Sequence, residues 1–232
     1  MLTIILAGGL GTRLKEVIPD VPKVMAPIGD KPFLEYLLDL LAKYYIRSHE
    51  IVLSLGYKSK IVKQYLKGDY YSVEEKEPLG TAGAVGNVIR HCMKSGIFNP
   101  ALNPAFMVLN GDTYLDIDYE QFITKHLAST AIASVALAKV PDTSRYCRLE
   151  LGKKNLITKL AGKGLKGTGH ITSGAFIFSK TAINAFPEKG NLEDDVLKKL
   201  VDLKLCYGIP LRGKFIDMGT PESYEACKTY LK

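Results

Sequence analysis

Four charged residues of this sequence could do chemistry on phosphate groups. Arg13 belongs to the glycine-rich run of residues 8–14, Lys23 lies between two prolines, and Asp112 and Asp217 each stand near a glycine in a short polar turn. Glycines let a turn bring backbone N–H groups against phosphate oxygens, and a guanidinium adds a planar, permanently charged fork. Carboxylates beside phosphates suit Mg²⁺, which takes one or two protein carboxylates together with phosphate oxygens. The combination predicts metal-assisted phosphoryl or nucleotidyl transfer.

The segments before these residues must position them. Apolar runs at residues 2–7 and 105–110 stop at glycine-containing turns and are typical of buried parallel strands. In open parallel sheets, ligands bind outside the carboxyl ends of the strands. We therefore expect Arg13 and Asp112 to share a crevice. Taken singly, each acidic residue fits a turn or capping role equally well.

The rest of the chain alternates strands and helices. Further strands are predicted at 51–55 and 69–74, and helices at 33–45, at 58–66 with Tyr65 facing inward, and at 81–93 with Thr81 as N-cap. After about residue 130 the pattern changes, with strands at 131–139, 145–151, 157–161 and 171–178 and helices at 192–203 and 221–230, the last capped by Thr220. This order predicts a single α/β domain over residues 1–232. Its mostly parallel sheet is flanked by helices, with a nucleotide-binding half (1–130) and an antiparallel or mixed acceptor-binding half (131–232).

Composition excludes several classes of protein. The chain has 232 residues, of which 47% are hydrophobic and 24% charged, so disorder and low complexity are excluded. The apolar start has no basic flank, and no apolar run is long enough to span a bilayer, so we expect a cytoplasmic protein without a membrane partner. The four cysteines include no C-x-x-C pair, which argues against a zinc site or a disulfide framework.

The net charge of +7 suits a polyanionic partner such as nucleic acid, a membrane surface or phosphorylated small molecules. The lysine clusters at 60–67 and 153–166 belong to no recognisable nucleic-acid-binding motif, so we interpret them mainly as solvated faces and expect no nucleic-acid partner. Leu14 stands where a dinucleotide-binding G-x-G-x-x-G run requires glycine, and no G-x-x-x-x-G-K-[ST] run occurs. Neither an NAD site nor a P-loop is supported.

Five motifs together resemble the sugar-1-phosphate nucleotidylyltransferases. They are L-A-G-G-L-G-T-R-L at 6–14, P-K at 22–23, E-K-E-P-L-G-T-A-G at 75–83, N-G-D-T at 110–113 and D-M-G-T-P at 217–221. The resemblance covers residues 2 to about 230. It implies a GT-A-like, Rossmann-like sheet and the reaction of a nucleoside triphosphate with a sugar 1-phosphate, releasing pyrophosphate.

The P-L-G-T-A-G form resembles guanylyltransferases more than thymidylyl enzymes. In a chain of this length, the F-I-D-x-G-x-P-E-x-Y run at 215–224 is most similar to D-glycero-D-manno-heptose 1-phosphate guanylyltransferases. The resemblance implies GTP and this heptose phosphate as substrates. A mannose-1-phosphate guanylyltransferase, an amino-sugar-1-phosphate uridylyltransferase and a non-catalytic sugar-nucleotide-binding regulatory protein remain alternatives. A homodimer is also left open.

The resemblance also implies roles for individual residues. Arg13 and Lys23 are the expected catalytic residues, and Asp112 and Asp217 are expected to hold Mg²⁺. The expected nucleotide-binding residues are Leu6, Ala7, Gly8, Gly9, Gly11, Thr12, Arg13, Glu75, Pro78, Gly80, Thr81, Gly83 and Gly111. The expected sugar-phosphate-binding residues are Tyr146, Lys163, Thr172, Gly174 and Glu193.

The acceptor half departs from the family pattern at three places. Gly162-Lys163-Gly164 stands where members commonly have Glu-Lys, Thr172-Ser173-Gly174 replaces Asn-x-Gly, and Tyr146-Cys147 replaces Tyr-Gly. The sugar is therefore the least defined substrate. Glu75 is expected to face the base, and a carboxylate can accept from both N–H groups of the guanine pairing edge, which favours GTP.

Overall fold

The computed structural model describes residues 1–231. Within them the strands are β1 (Thr3–Leu6), β2 (Pro27–Ile28), β3 (Lys31–Pro32), β4 (Ile51–Leu55), β5 (Tyr71–Glu74), β6 (Ala105–Asn110), β7 (Thr113–Ile117), β8 (Ala133–Val140), β9 (Arg148–Leu151), β10 (Ile157–Leu160), β11 (Gly169–Ser179), β12 (Cys206–Pro210) and β13 (Gly213–Asp217). The helices are α1 (Phe33–Lys43), α2 (Ser59–Leu66), α3 (Gly80–Lys94), α4 (Tyr119–Leu127), α5 (Lys198–Asp202), preceded by a π-helical turn at Leu192–Leu197, and α6 (Pro221–Tyr230).

The centre of the main sheet is parallel. β1 lies between β4 and β6, and Leu6 is in register with both Ser54 and Asn110, so the carboxyl ends of these three strands meet at one edge. β5 extends the sheet in parallel beside β4. The predicted α/β fold with a mostly parallel central sheet flanked by helices is confirmed, and so is the shared edge for the segments before Arg13 and Asp112.

Strands from the second half continue the same sheet. β11 runs antiparallel to both β6 and β8, β9 and β10 form an antiparallel edge, and β12 pairs with β8 in parallel. The predicted change to antiparallel and mixed pairing after residue 130 is therefore confirmed. β13 pairs with β7 in a separate two-stranded sheet, and β2 pairs with β3 in another.

Apolar side chains cover both faces of the central sheet. On one face, α3 and the turn at Leu192–Leu197 pack against residues such as Ile4 and Val108. On the other, α1, α2 and α4 pack against residues such as Ile5 and Leu109. Because neighbouring residues of β1 and β6 point to opposite faces, a strand buried on both faces reads as an uninterrupted apolar run.

Four local predictions were wrong. Tyr65 is exposed, and its hydroxyl donates to the Glu35 carboxylate on α1, because Ile61 and Val62 already supply the inward face of α2. Thr81 is not a cap, since α3 begins one residue earlier. The strand expected from residue 145 begins only at Arg148, and the helix expected over 192–203 begins as a π-helical turn. Thr220 does cap α6, its side chain accepting from the Ser223 N–H.

In residues 1–231, no helix is both long and apolar enough to cross a membrane. The four cysteines are all buried and none is disulfide-bonded, as expected of small apolar side chains in a core.

Candidate active site

A cavity of about 630 Å³ opens at the carboxyl ends of β1, β4 and β6. Much of its lining comes from the turns that follow these strands. Of the residues predicted to bind nucleotide, those in its lining are Leu6, Ala7, Gly8, Gly9, Glu75, Pro78, Gly80 and Thr81. Lys23, Asn110 and Asp112 also line it. The strand-end rule thus brings residues from distant parts of the sequence to one crevice.

Lys23 and Asp112 form an ion pair in this cavity. The Lys23 Nζ lies 2.5 Å from the Asp112 Oδ2. Lys23 begins a short 3₁₀ turn, Lys23–Met25, whose N–H groups at Met25 and Ala26 bond back to Pro22 and Lys23. The lysine side chain is 14% exposed, so the turn holds a mostly buried lysine beside the carboxylate that follows β6.

Asp217 lies next to Asp112 because β13 pairs with β7. Asp217 is opposite Thr113 in that pairing, and the Met218 N–H donates to the Asp112 carbonyl at 2.9 Å. Burial raises the pKa of the Asp217 carboxyl, and the negative charge of Asp112 raises it further, while Lys23 and Arg145 oppose the increase. Two carboxylates thus converge from chain positions more than a hundred residues apart.

This donor set fits a divalent metal. Residues 1–231 contain no group of three or more His, Cys, Asp or Glu side chains that could hold an ion without help. Mg²⁺ is commonly bound by one or two protein carboxylates, with substrate phosphates and water completing the octahedron. The raised pKa of Asp217 means that burial and the Asp112 charge disfavour its charged form, which a bound cation would stabilise.

Glu75 follows β5 at the base of the cavity. Its Oε1 accepts from the Ser54 hydroxyl at 3.3 Å and its Oε2 from the Leu79 N–H at 3.1 Å. These bonds orient the carboxylate and hold the turn that leads into α3. A carboxylate offers about four lone-pair sites, so each oxygen still has capacity to accept from a ligand.

The residues predicted to bind the sugar phosphate, which we call the acceptor cluster, are Tyr146, Lys163, Thr172, Gly174 and Glu193. Four of them contact partners that position them. The Tyr146 hydroxyl donates to the Asp217 Oδ2 at 3.2 Å, the Thr172 hydroxyl donates to the Glu193 Oε1 at 2.9 Å, and Gly174 lies against the Asn110 side chain.

Cys147 connects the remaining member of the acceptor cluster to the others. Burial raises the pKa of the Cys147 thiol, the Glu193 carboxylate raises it further, and the Lys163 ammonium opposes this. The Glu193 and Lys163 charges therefore both act on the Cys147 thiol. The loop that carries Lys163 is held there because the Arg148 N–H donates to the Gly162 carbonyl. Within the acceptor cluster, Tyr146 is the member that contacts Asp217, and Gly174 is the member that contacts Asn110 of the cavity lining.

Several predicted nucleotide-binding residues lie outside the lining. Gly11, Thr12, Arg13, Gly83 and Gly111 do not contribute to the cavity wall. Arg13 is exposed on the 3₁₀ turn Thr12–Leu14, and within residues 1–231 its guanidinium has no hydrogen-bond or ion-pair partner. The lining thus includes Asp112 but not Arg13, so the crevice expected to be shared by these two residues is not seen in the cavity wall.

Sequence reasoning missed Arg145. Its Nη2 lies 2.7 Å from the Asp217 Oδ2, and its guanidinium lies over the Tyr146 ring. Each of the two acidic residues at the site therefore has one basic partner, Lys23 for Asp112 and Arg145 for Asp217. A basic residue directly before Tyr146 was the one available signal, but no local pattern links it to a carboxylate 72 positions away.

A glycine-lined cavity at a parallel sheet edge, with two adjacent carboxylates, defines a nucleotide-transferring class of protein. The chain belongs to the Nucleotidyl transferase family, which it matches over residues 2–232.

The chain is similar to three relatives over nearly its whole length. A D-glycero-alpha-D-manno-heptose 1-phosphate guanylyltransferase of Campylobacter jejuni is 36% identical over 231 residues, covering 97% of each chain. An enzyme of the same description from Aneurinibacillus thermoaerophilus is 31% identical, and the match covers 100% of this chain and 99% of the relative. The crystal structure of HddC from Yersinia pseudotuberculosis complexed with GMP-PN has a TM-score of 0.82 at 34% identity, over 99% of both chains.

Proposed function

We propose that this chain is a guanylyltransferase that joins GTP to D-glycero-D-manno-heptose 1-phosphate, giving a GDP-sugar and pyrophosphate. The observation that carries the proposal is the cavity of about 630 Å³ with the Lys23–Asp112 pair in its wall and Asp217 beside it. Relatives that are 31% and 36% identical over nearly the full chain are heptose 1-phosphate guanylyltransferases, which supports the same reaction here.

The reaction needs no base from the protein. A phosphate oxygen of the sugar 1-phosphate is already anionic near neutral pH, and it forms a new bond to the α-phosphorus of GTP. The bond from the α-phosphorus to the α–β bridging oxygen breaks, and pyrophosphate leaves with that electron pair. None of His49, His91, His126 and His170 lines the cavity, in keeping with this chemistry. The protein then acts by positioning the two anions and stabilising charge.

Each charged residue has a role in that arrangement. Asp112 and Asp217 hold Mg²⁺, which when bound neutralises charge on the phosphate oxygens. Lys23 and Arg13 bind the reacting phosphoryl group and the leaving pyrophosphate, and Lys163 binds the phosphate of the acceptor. The Lys23 side chain is mostly buried beside Asp112, so its charge acts on a bound phosphate oxygen with less screening by water than an exposed lysine would have.

Guanine selectivity follows from Glu75. Its carboxylate lines the cavity and is oriented by Ser54 and the Leu79 N–H, which leaves lone pairs for the two N–H groups of the guanine pairing edge. Uracil and thymine offer one such donor. The structural relative HddC was solved with the guanine compound GMP-PN, which supports GTP as the nucleotide substrate.

The sugar is recognised by the acceptor cluster. Glu193, oriented by the Thr172 hydroxyl, accepts from a sugar hydroxyl, and Tyr146 lies between the sugar phosphate and Asp217. We place the enzyme in the cytoplasm, where nucleoside triphosphates are available, and treat residues 1–232 as one catalytic domain, since strands from both halves share one sheet.

A pyrophosphate-release screen tests the proposal. The purified chain is incubated with each of GTP, UTP, dTTP, CTP and ATP against heptose, mannose and N-acetylglucosamine 1-phosphates, with Mg²⁺ and with Mn²⁺. We expect the highest kcat/KM for GTP with the heptose phosphate. A preference for a pyrimidine triphosphate would overturn the guanine assignment, and a preference for mannose 1-phosphate would overturn the heptose assignment. No turnover with any pair would overturn the proposal as a whole.

A further inference from the structure

Two stretches from opposite halves of the chain meet in a backbone joint beside the cavity. The Gly190 N–H donates to the Leu79 carbonyl at 2.8 Å, and the Ala82 N–H donates to the Gly190 carbonyl at 2.9 Å. The Leu192 N–H donates to the Thr81 Oγ1 at 2.8 Å. We call this contact between residues 79–83 and 188–192 the Gly190 joint. It crosses from the nucleotide side of the site to the acceptor side.

Two glycines make the joint possible. A Cβ on Gly80, which has a φ of +72°, would lie 2.4 Å from the Gly190 carbonyl oxygen. A Cβ on Gly83 would lie 2.5 Å from the Glu188 carbonyl oxygen. Since real Cβ atoms do not come this close to backbone oxygens, any side chain here would separate the two stretches. Glycine in this part of the P-L-G-T-A-G motif therefore serves contact with the acceptor half.

Thr81 supplies the one side chain from its stretch that bonds across the joint. Its hydroxyl oxygen accepts from Leu192, the first residue of the π-helical turn, in place of the missing helical partner. The next two N–H groups, of Glu193 and Asp194, donate to the Asn191 side chain. The start of the turn is thus fixed by Thr81 from outside and by Asn191 from within.

This arrangement fixes the position of Glu193. Its backbone lies directly after Leu192, and its carboxylate accepts from Thr172 on β11. The carboxylate is therefore held at two points, one of which depends on the nucleotide-binding loop. Loss of the Thr81 acceptor would remove one of the bonds that fix the start of the turn, while the Asn191 side chain and Thr172 keep theirs.

We propose that Thr81 is a positioning residue that ties the acceptor-site carboxylate Glu193 to the nucleotide-binding loop. This rests on the proposed function, in which Glu193 binds a sugar hydroxyl. Thr81 acts through the Leu192 N–H, so its removal weakens binding of the sugar 1-phosphate more than binding of GTP. A threonine that contacts only the nucleotide would do the reverse.

A double-mutant cycle tests this. Thr81→Val keeps the shape and removes the acceptor, Thr81→Ser keeps the hydroxyl, and Glu193→Gln keeps the size of the carboxylate. KM for each substrate and kcat are measured for the wild type, the three single variants and Thr81→Val with Glu193→Gln. Thr229→Val, on the exposed face of α6 where the hydroxyl bonds only to Glu225, is the matched remote control.

We expect Thr81→Val to raise KM for the sugar 1-phosphate about threefold to tenfold, the range of one hydrogen bond, with KM for GTP changed less than twofold. Thr81→Ser restores the wild-type value, and Thr229→Val leaves it unchanged. In the Glu193→Gln background, Thr81→Val should add little, because both changes act on the same contact.

Two results would overturn the inference while leaving the proposed function intact. One is a wild type that turns over GTP and the heptose phosphate but shows additive effects of the two substitutions. The other is an equal or larger rise in KM for GTP. A wild type without turnover refutes the proposed function and this inference with it. If Thr81→Val does not fold, Thr81→Ala takes its place in the same cycle.

Discussion

The nucleotide side and the acceptor side of the site are built differently. The nucleotide side is a cavity lined by the turns at the ends of β1, β4 and β6, which the pairing of these strands brings to one edge. The acceptor side is a set of side chains that orient one another, such as Tyr146 on Asp217 and Thr172 on Glu193. The contrast teaches that single substitutions act most strongly where a charge is held by another side chain.

The same contrast separates the two carboxylates. Asp112 is 35% exposed beside a Lys23 that is 14% exposed, whereas Asp217 is 16% exposed beside an Arg145 that is 39% exposed. On the acceptor side the anion is the buried partner, and burial raises its pKa. Asp217 therefore depends more on a neighbouring cation than Asp112 does.

The largest expected effect comes from Asp217→Asn. The change keeps the shape but removes the charge that we assign to the metal, and we expect kcat/KM to fall ~10³-fold, the upper range for loss of one preorganised electrostatic group. Steady-state pyrophosphate release measures it. Asp116→Asn is the control, because Asp116 lies on the adjacent strand β7 and pairs with Lys43 outside the site. Equal activities of the two variants would contradict the role of Asp217.

Arg13→Ala is expected to come next. Loss of a phosphate-binding donor lowers turnover by ~10²–10³-fold, and the exposure of Arg13 on its turn favours the lower end. The fold should be unaffected, since Arg13 has no partner among residues 1–231. Arg212→Ala, another exposed arginine, is the control. A drop below threefold for Arg13→Ala would remove this residue from the catalytic arrangement.

These residues show which parts of the fold and of the site could be predicted from the sequence. The central strands were predictable because a strand buried on both faces reads as an apolar run. The carboxyl-end rule predicted a shared crevice for Arg13 and Asp112, and the cavity lining contains Asp112 and the start of the glycine turn but not Arg13. The resemblance implied that Asp217 and Asp112 lie close together, and the pairing of β7 with β13 brings them together. Where a helix or strand was predicted, its ends fell within a few residues of the observed ones, whereas α4, β7 and β12 were not predicted.

Contacts between side chains far apart in sequence were not predictable. Arg145 reaches Asp217 across 72 positions, and Thr81 reaches Leu192 across 111. Neither contact produces a periodic or local pattern in the sequence. From the sequence alone, Thr81 is therefore interpreted as a helix cap, and Arg145 is assigned no partner. The π-helical turn was missed for the same reason, since its partner Thr81 lies in the other half of the chain.

Glu193→Gln tests the acceptor side with a smaller expected effect. A hydrogen bond to a charged group is stronger than one to a neutral group, so we expect KM for the sugar 1-phosphate to rise by about tenfold, with KM for GTP nearly unchanged. Asp194→Asn is the control, because the neighbouring carboxylate is exposed. If KM for GTP rises in parallel, the two sides of the site are not separable as described.

The smallest expected effect concerns the contact of His126, in the first half of the chain, with two serines of the second half, which we call the His126 contact. His126 on α4 is buried, its Nδ1 lies 2.8 Å from the Ser134 Oγ on β8, and its Nε2 lies 3.3 Å from the Ser179 Oγ on β11. The Ser179 hydroxyl donates to the Ala131 carbonyl, so its oxygen accepts from Nε2–H and the Ser134 hydroxyl donates to Nδ1. The network is complete only for the neutral ring, and burial lowers the pKa of His126 to about 4.

Acid should therefore weaken the His126 contact and lower the free energy of unfolding. An unfolded histidine has a pKa near 6.5, so between pH 6.5 and about 4 the unfolded chain binds more protons than the folded one. The free energy of unfolding should fall by about 1 kcal/mol from pH 6.5 to pH 5.5 through this residue. Urea unfolding at both pH values measures the slope, and His126→Gln should lose that share of it while His49→Gln, on an exposed turn, keeps it. An unchanged slope in His126→Gln would mean that the two halves are not joined through a neutral buried histidine.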